Sequence, residues 1–414
     1  MNNDVKKRIK FKHGLIQRSF WVISVIFLVI VIIYFSIRFV VISKIYSDAD
    51  MTATEYIFKN FTEDKGLYQD GDLYVFRGNI ESNYLRYGNL LFRIVKIYKD
   101  GSMEVIMNDG INALYYNDEY SSYLESDIHK YLNDQVLELL DKNDLNRSPI
   151  CVDIVSDIEN ITCNQVDYSS YVKLLMVGDY VNSILNEETY IGGEGEYFWL
   201  GNVSTDKVWN TDGSKLSLSD VRKGHKIKPV ITLNEMVKYL GGRGSKDNPI
   251  VVKESVVGIN SYVKINNDLY IVIDRDKSYL KMMLVEDSPF VRDTISDNLL
   301  EELNNEYYDN LSYKDKLVRY TIDTGKYKKS YNDIVDEKES VYVGIPTISD
   351  FKLDNGDYLL INTFDGENGY YYNNELYLND VSLARKIRPV VVIKMQEISS
   401  GSGLIDDPYI VEVQ

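Results

Sequence analysis

Beyond its amines, amides and hydroxyls, this chain of 414 residues offers chemistry through two cysteines, three histidines and 63 carboxylates. Cys151 and Cys163 have no histidine beside them, so they lack the ligand set of a zinc site. An even pair in an exported domain becomes a disulfide closing a small loop. Such a bridge stabilises by about 3 kcal/mol on the chain-entropy account. A redox pair or a copper site is the sharper alternative. His13, His129 and His225 are scattered, which argues against imidazole-based acid–base or zinc catalysis. Neither a nucleophile elbow, nor a zincin helix, nor a phosphate-cradling glycine loop occurs. Hydrolysis by two carboxylates stays open, because the spacing it requires is spatial. No cofactor is expected except calcium, for which clustered aspartates are available but no D-x-D-x-D-G loop is present.

Binding chemistry is better supplied. The chain holds 35 tyrosines against 13 phenylalanines and 3 tryptophans. A phenol ring presents an apolar face with a polar tip, which suits a sugar or protein held beside water. Tyr197, Trp199, Trp209, Tyr370, Tyr371 and Tyr372 are the candidate binding residues, with Tyr115 and Tyr116 a further cluster. The plainer account is an AT-rich composition in which many tyrosines are core or strand-face residues.

Location follows from the amino-terminal segment. Residues 19–37 carry no formal charge and lie between Arg18 and Arg38. A helix of that length matches a hydrocarbon core of roughly 30 Å. Lys6, Lys7, Arg8, Lys10, Lys12 and Arg18 precede it, while Asp48 and Asp50 follow. The positive-inside bias predicts a single-pass anchor at 19–42 with a cytoplasmic tail, 1–18, and the remainder outside the cell. A cleaved signal is the alternative, but it needs a shorter apolar stretch and a small-residue cleavage site. The chain carries −17, residues 1–44 carry +7, and −24 is left for the rest. So acidic a surface excludes nucleic acid as a partner.

The elements that must position these groups occur twice. Ile227-Lys228-Pro229-Val230-Ile231, Gly241-Gly242-Arg243-Gly244 and Asp247-Asn248-Pro249-Ile250-Val251 return as Ile387-Arg388-Pro389-Val390-Val391, Ser400-Gly401-Ser402-Gly403 and Asp407-Pro408-Tyr409-Ile410-Val411. Upstream, Ser126-Asp127 through Leu132-Asn133 answers Ser296-Asp297 through Leu303-Asn304, and Gly178-Asp179-Tyr180 answers Ser349-Asp350-Phe351. Ordered matches of this kind predict a duplication, with extra residues in the first copy at 203–224. After a stalk or short helix over 43–70, β-branched runs at 73–76, 90–97 and 103–106 predict strands, with Asp100-Gly101 as a hairpin turn. Ser126 caps a helix carrying Ile128, Tyr131, Leu132, Val136, Leu139 and Leu140, and a second helix lies near 172–185. The expected class is α+β in two domains, 71–254 and 255–414.

The order of these motifs resembles a family of uncharacterised surface domains from low-GC Gram-positive bacteria. The residues that carry it are Leu132-Asn133, Asp179-Tyr180, Tyr197 with Trp199-Leu200, and Lys228-Pro229-Val230-Ile231, answered by Leu303-Asn304, Asp350-Phe351, Tyr358-Leu359-Leu360 and Arg388-Pro389-Val390. The glycine-rich tail with Asp-x-Pro-x-Ile-Val is its most characteristic piece. That family is similar to the C-type-lectin-like fold shared with formylglycine-generating-enzyme-type domains. The resemblance implies two tandem C-type-lectin-like units with close termini. Trp209-Asn210-Thr211-Asp212 only approaches the calcium-dependent sugar triplet of such lectins. The function expected is binding of an envelope or extracellular glycan or protein, not catalysis. The rivals are a structural subunit of an envelope complex and an exported hydrolase or cysteine oxidase.

Overall fold

Leu90–Ile97 and Met103–Met107 form a hairpin because apolar β-formers flank a turn that only glycine closes easily: Gly101 sits at φ +91° and Asp100 Oδ1 accepts the Ser102 amide at 2.9 Å. A second hairpin, Asp268–Arg275 with Tyr279–Leu284, turns through Asp276, whose carboxylate accepts the Ser278 and Tyr279 amides. In both, the ladder slips by a bulge, between Ile94 and Lys96 in one and between Val272 and Asp274 in the other. The computed structural model describes residues 26–36, 38, 51–192, 196–286, 298–327, 337–352, 356–364, 367–372, 375–379 and 385–413.

Each hairpin is the centre of a sheet with one pairing order. In the first half it runs Val172–Lys173, Val230–Leu233, Met103–Met107, Leu90–Ile97, Tyr84–Tyr87, Ile250–Lys253. In the second it runs Val343–Gly344, Val390–Lys394, Tyr279–Leu284, Asp268–Arg275, Tyr262–Ile265, Tyr409–Val411. All neighbours are antiparallel except the last pair, in which Ile250–Lys253 lies parallel to Tyr84–Tyr87 and Tyr409–Val411 parallel to Tyr262–Ile265. A smaller antiparallel meander accompanies each sheet: Phe198–Val203, Val208–Thr211 and Leu216–Ser219 in one half, Tyr358–Phe364, Glu367–Tyr372 and Glu375–Asn379 in the other. Residues 203–224, where extra residues were expected in a surface loop, include the two strands Val208–Thr211 and Leu216–Ser219, joined by turns.

Two asparagines per half lock these layers. Asn133 donates to the Val172 carbonyl at 2.9 Å and accepts the Tyr171 and Val172 amides; Asn304 treats Val343 and Tyr342 identically. Asn202 accepts the Val177 amide and donates to Cys151 and Asp153 carbonyls; Asn362 accepts from Ile348 and donates to Asp323 and Gly325. The glycine tail repeats as well. Gly244 accepts the Tyr84 amide and Gly403 the Tyr262 amide, both at 2.8 Å. A Cβ on Gly242 would lie 1.7 Å from the Pro249 carbonyl oxygen, and one on Gly401 2.2 Å from that of Pro408.

The helices are shorter than the apolar spacing suggests. Ser126 caps Asp127–Asp134 through the His129 amide, but the chain tightens into a 3₁₀ turn at Val136–Leu139, so Leu139 and Leu140 leave the helical face. Near 172–185 a short strand precedes a helix of only six residues, Val177–Asn182. In the second half Leu299–Glu302 leads through a π-turn, Leu303–Tyr307, to Tyr308–Asn310.

The chain divides into two compact units, Met1–Met51 and Thr52–Gln414. In the first, residues 26–36 are helical, with Phe27 and Phe35 about two-thirds exposed. Among the described residues no helix is long and apolar enough to cross a membrane, and much of the expected span 19–42 lies outside them. In the second, residues 52–70 of the stretch expected as a stalk or short helix form such a helix and are built in: Thr52 and Glu55 form a capping box on Ala53–Asn60, Tyr56 stacks on Tyr239 at 3.8 Å, and Leu67–Asp70 pairs with Leu73–Phe76; residues 43–50 lie outside the described residues. The halves join within this unit. The Lys352 amide donates to Asn112 Oδ1 at 2.7 Å, and the Leu376 amide to the Gly224 carbonyl at 3.0 Å.

Losing either layer-locking side chain strands buried amides. Asn133→Ala and Asn304→Ala should each cost about 2 kcal/mol in guanidinium unfolding. Gly242→Ala should destabilise far more than Gly71→Ala, where a Cβ meets nothing within 4 Å.

Candidate functional site

A charged residue in the middle of an apolar strand has to find its partner inside the protein. Lys96 in Leu90–Ile97 and Glu104 in Met103–Met107 are such residues, and they face each other across the hairpin. Lys96 Nζ lies 3.4 Å from Glu104 Oε2 and 2.6 Å from Asp179 Oδ1; Lys173 Nζ lies 3.1 Å from Glu104 Oε1 and donates to the Pro149 carbonyl at 2.7 Å. Glu104 is wholly buried and Lys173 almost so. The Tyr98 hydroxyl also donates to Glu104. Burial weighs against the charge on Lys96, yet Asp179 and Glu104 raise its pKa above the ordinary lysine value. Burial likewise opposes the Asp179 carboxylate, but Lys96 and Lys173 hold it below the usual range. Burial and the neighbouring Glu104 charge push Tyr98 up.

Lys96, Tyr98, Lys173 and Asp179 floor a cavity of about 750 Å³, with Glu104 buried beneath them. One wall is the loop closed by the Cys151–Cys163 disulfide, whose Cα atoms are 5.7 Å apart. Ile158, Val166 and Tyr168 stand exposed around that wall, while Asn146, Asn182 and Arg147 supply polar lining. A rim of apolar and phenolic groups over a floor of matched charges can seat a polar ligand of no net charge.

The second half carries the same frame with charges exchanged. Asp274 occupies the place of Lys96 and Lys281 that of Glu104, again opposite each other in the ladder. Lys281 Nζ is 2.5 Å from Asp350 Oδ1, and Asp350 also accepts the Thr347 amide at 2.8 Å. Burial and the Asp350 charge raise Asp274; burial opposes Asp350, but Lys281 and Lys352 lower it. These residues line a cavity of about 560 Å³ whose edge includes Asp134, Gln135, Glu138 and Leu139 of the first half.

The aromatic candidates lie elsewhere. Trp199 is completely buried with its indole N–H on the Leu114 carbonyl at 2.9 Å, and Trp209 is buried with its own on Val155 at 2.7 Å. Both are core groups, not contact surface. Tyr197 is half-buried and stacks on His225. Tyr370, Tyr371 and Tyr372 lie on Glu367–Tyr372, and their side chains fall outside the described residues. In the lectin-like stretch, Asn210 donates to the Ser217 carbonyl and Asp212 accepts the Ser214 and Lys215 amides, so both are used in local structure. Cys151, Asp153 and Cys163 approach one another as metal ligands would. The sulfurs are consumed in the disulfide, and Asp153 accepts the Asn164 amide at 2.5 Å. Lys96, Glu104, Lys173 and Asp179 were not among the expected site residues.

No family model, no curated protein and no solved structure matches this chain.

His129 gives a pH test of the packing beside Tyr123 and Ser170. Its Nε2 lies 2.7 Å from Ser170 Oγ, and burial lowers its pKa. A lowered folded-state pKa means the unfolded chain binds the proton more readily. Stability should therefore fall as pH drops through about 6.5 toward the lower folded value. In His129→Gln that component of the decline should vanish from pH-dependent denaturation curves.

Proposed function

We propose that this chain is a single-pass, membrane-anchored protein with its amino terminus in the cytoplasm, and that it binds an envelope or extracellular ligand outside the cell. The ligand seat is the cavity of the first half, and the observation that carries the reading is its floor of matched, buried charges beneath an exposed apolar and phenolic rim. Lys96, Lys173, Glu104 and Asp179 neutralise one another, which disfavours polyanions and leaves hydrogen-bonding and stacking groups to select the ligand. A glycan segment fits those groups; a protein loop is the alternative that Ile158, Val166 and Tyr168 would favour. The two α+β halves are read as tandem lectin-like units, a reading supported by the parallel pairing of the last strand of each with an early one, Ile250–Lys253 with Tyr84–Tyr87 and Tyr409–Val411 with Tyr262–Ile265.

The apolar run 19–37 with its basic flank supports the anchor, and the disulfide is consistent with an oxidising compartment. The shifts of Lys96 and Asp179 away from neutral pH favour binding over turnover. Calcium is not required by this reading.

Glycan-array and envelope-protein binding by the full chain, incorporated in nanodiscs, tests it. Tyr168→Ala and Asn182→Ala should each weaken binding about tenfold, roughly 1.4 kcal/mol, while Trp209→Phe should act only through stability. Binding untouched by both cavity variants would sink the assignment of the seat. Protease added to intact cells should digest the region after residue 51; full protection would sink the topology.

A further inference from the structure

The two halves keep one constellation while exchanging the residues that build it. In the first, Lys96 Nζ touches Asp179 Oδ1 at 2.6 Å, and Glu104 stands across the ladder from the lysine. In the second, Lys281 Nζ touches Asp350 Oδ1 at 2.5 Å, and Asp274 stands across the ladder from it. Asp179 and Asp350 sit at the same place in the repeat, whereas lysine and second carboxyl have changed strands. A second carboxyl stands beside each pair. In the first half it is Glu104, whose Oε1 takes Lys173 Nζ at 3.1 Å, while its Oε2 is buried, has no hydrogen-bond partner and lies 3.4 Å from Lys96 Nζ.

An amine touching a carboxyl group, with a second carboxylate at the neighbouring ladder position, buried at Glu104 and exposed at Asp274, supplies the components of amide condensation. We infer that Lys96 with Asp179, and Lys281 with Asp350, form intramolecular isopeptide bonds in the folded protein. The step balances without an oxidant or co-reactant. A proton passes from the Nζ ammonium to the aspartate along their hydrogen bond, leaving a neutral amine and a carboxylic acid; around Lys96 and Asp179 the neighbouring charges favour the ionised forms, so this transfer is uphill and makes the reaction slow. The Nζ lone pair attacks Cγ; the second carboxylate, Glu104 or Asp274, accepts a proton from Nζ and returns it to the departing hydroxyl. The Cγ–O bond breaks, the Nζ–Cγ amide forms, and one water is released per site. One positive and one negative charge become a neutral amide, so charge is conserved.

Slow chemistry suffices. Catalysis on an exchanging substrate needs groups poised near the working pH, whereas these reactants are held together for the life of the protein, where effective molarities are very large. The bonds would join Asp179 or Asp350 to the central hairpin, across 83 and 69 residues of sequence. That is a mechanical role for a surface protein whose sequence offers one cysteine pair.

Intact mass spectrometry of the purified, denatured full chain decides the matter. The expected mass is the sequence value less the two disulfide hydrogens and less two waters, and proteolysis after reduction should release branched peptides joining 96 to 179 and 281 to 350. Lys96→Arg keeps the positive charge beside Asp179 but cannot condense, so it should restore one water; Lys281→Arg should restore the other. Glu104→Gln should leave the first site largely unreacted in freshly purified protein. A wild-type mass short of the sequence value by the disulfide hydrogens alone overturns the proposal, as does a water loss that survives both arginine substitutions.

Discussion

Everything in each half is arranged around a charge that cannot leave the interior. A lysine and a carboxylate occupy adjacent central strands at a bulge, and an aspartate from far along the chain comes down to meet them. Buried ions are costly to dehydrate, so the arrangement is stable only with every partner in place. That requirement fixes the short helix Val177–Asn182, which carries Asp179, against the hairpin, and with it the floor of the cavity. Asn133 and Asn202 extend the same principle with uncharged groups, satisfying backbone amides and carbonyls where the chain passes between layers.

Exchange of lysine and carboxyl between strands shows what is constrained. The exchange leaves the charge of the cross-strand pair unchanged, because cross-strand neighbours occupy equivalent positions relative to the turn. A backbone frame held by asparagines and positive-φ glycines can therefore persist while its charged centre is rewired.

The frame was legible in the sequence because its determinants are local. Asp100-Gly101, the glycine tail and the apolar runs announce turns and strands through short-range sterics, and repetition of Asn133 as Asn304 marks a common register. The site was less legible. Phe198–Val203 is buried at all six positions, so both faces are covered and alternation cannot say where Trp199 points; an aromatic group was read as surface when the meander covers it. Lys96 and Glu104 did leave a signal, as charges interrupting the apolar strands LLFRIVKI and MEVIM, but only the ladder register shows that they oppose one another. Lys173 joins them from the two-residue strand Val172–Lys173, at a distance along the chain that no local pattern encodes.

Equivalent frames need not serve equivalent purposes. In the second half, Gly344 stands where the first has Lys173, and Tyr320 fills that space, its hydroxyl 2.5 Å from where a Cβ on Gly344 would lie. The second cavity is also edged by Asp134, Gln135, Glu138 and Leu139 of the neighbouring half, whereas the wall of the first is the disulfide loop with its exposed apolar rim. A ligand entering the first cavity meets side chains not committed to joining the halves; one entering the second has to work beside the seam that holds Thr52–Gln414 together. Two equivalent frames thus leave one cavity whose rim can change without disturbing the architecture and another whose rim is shared with it.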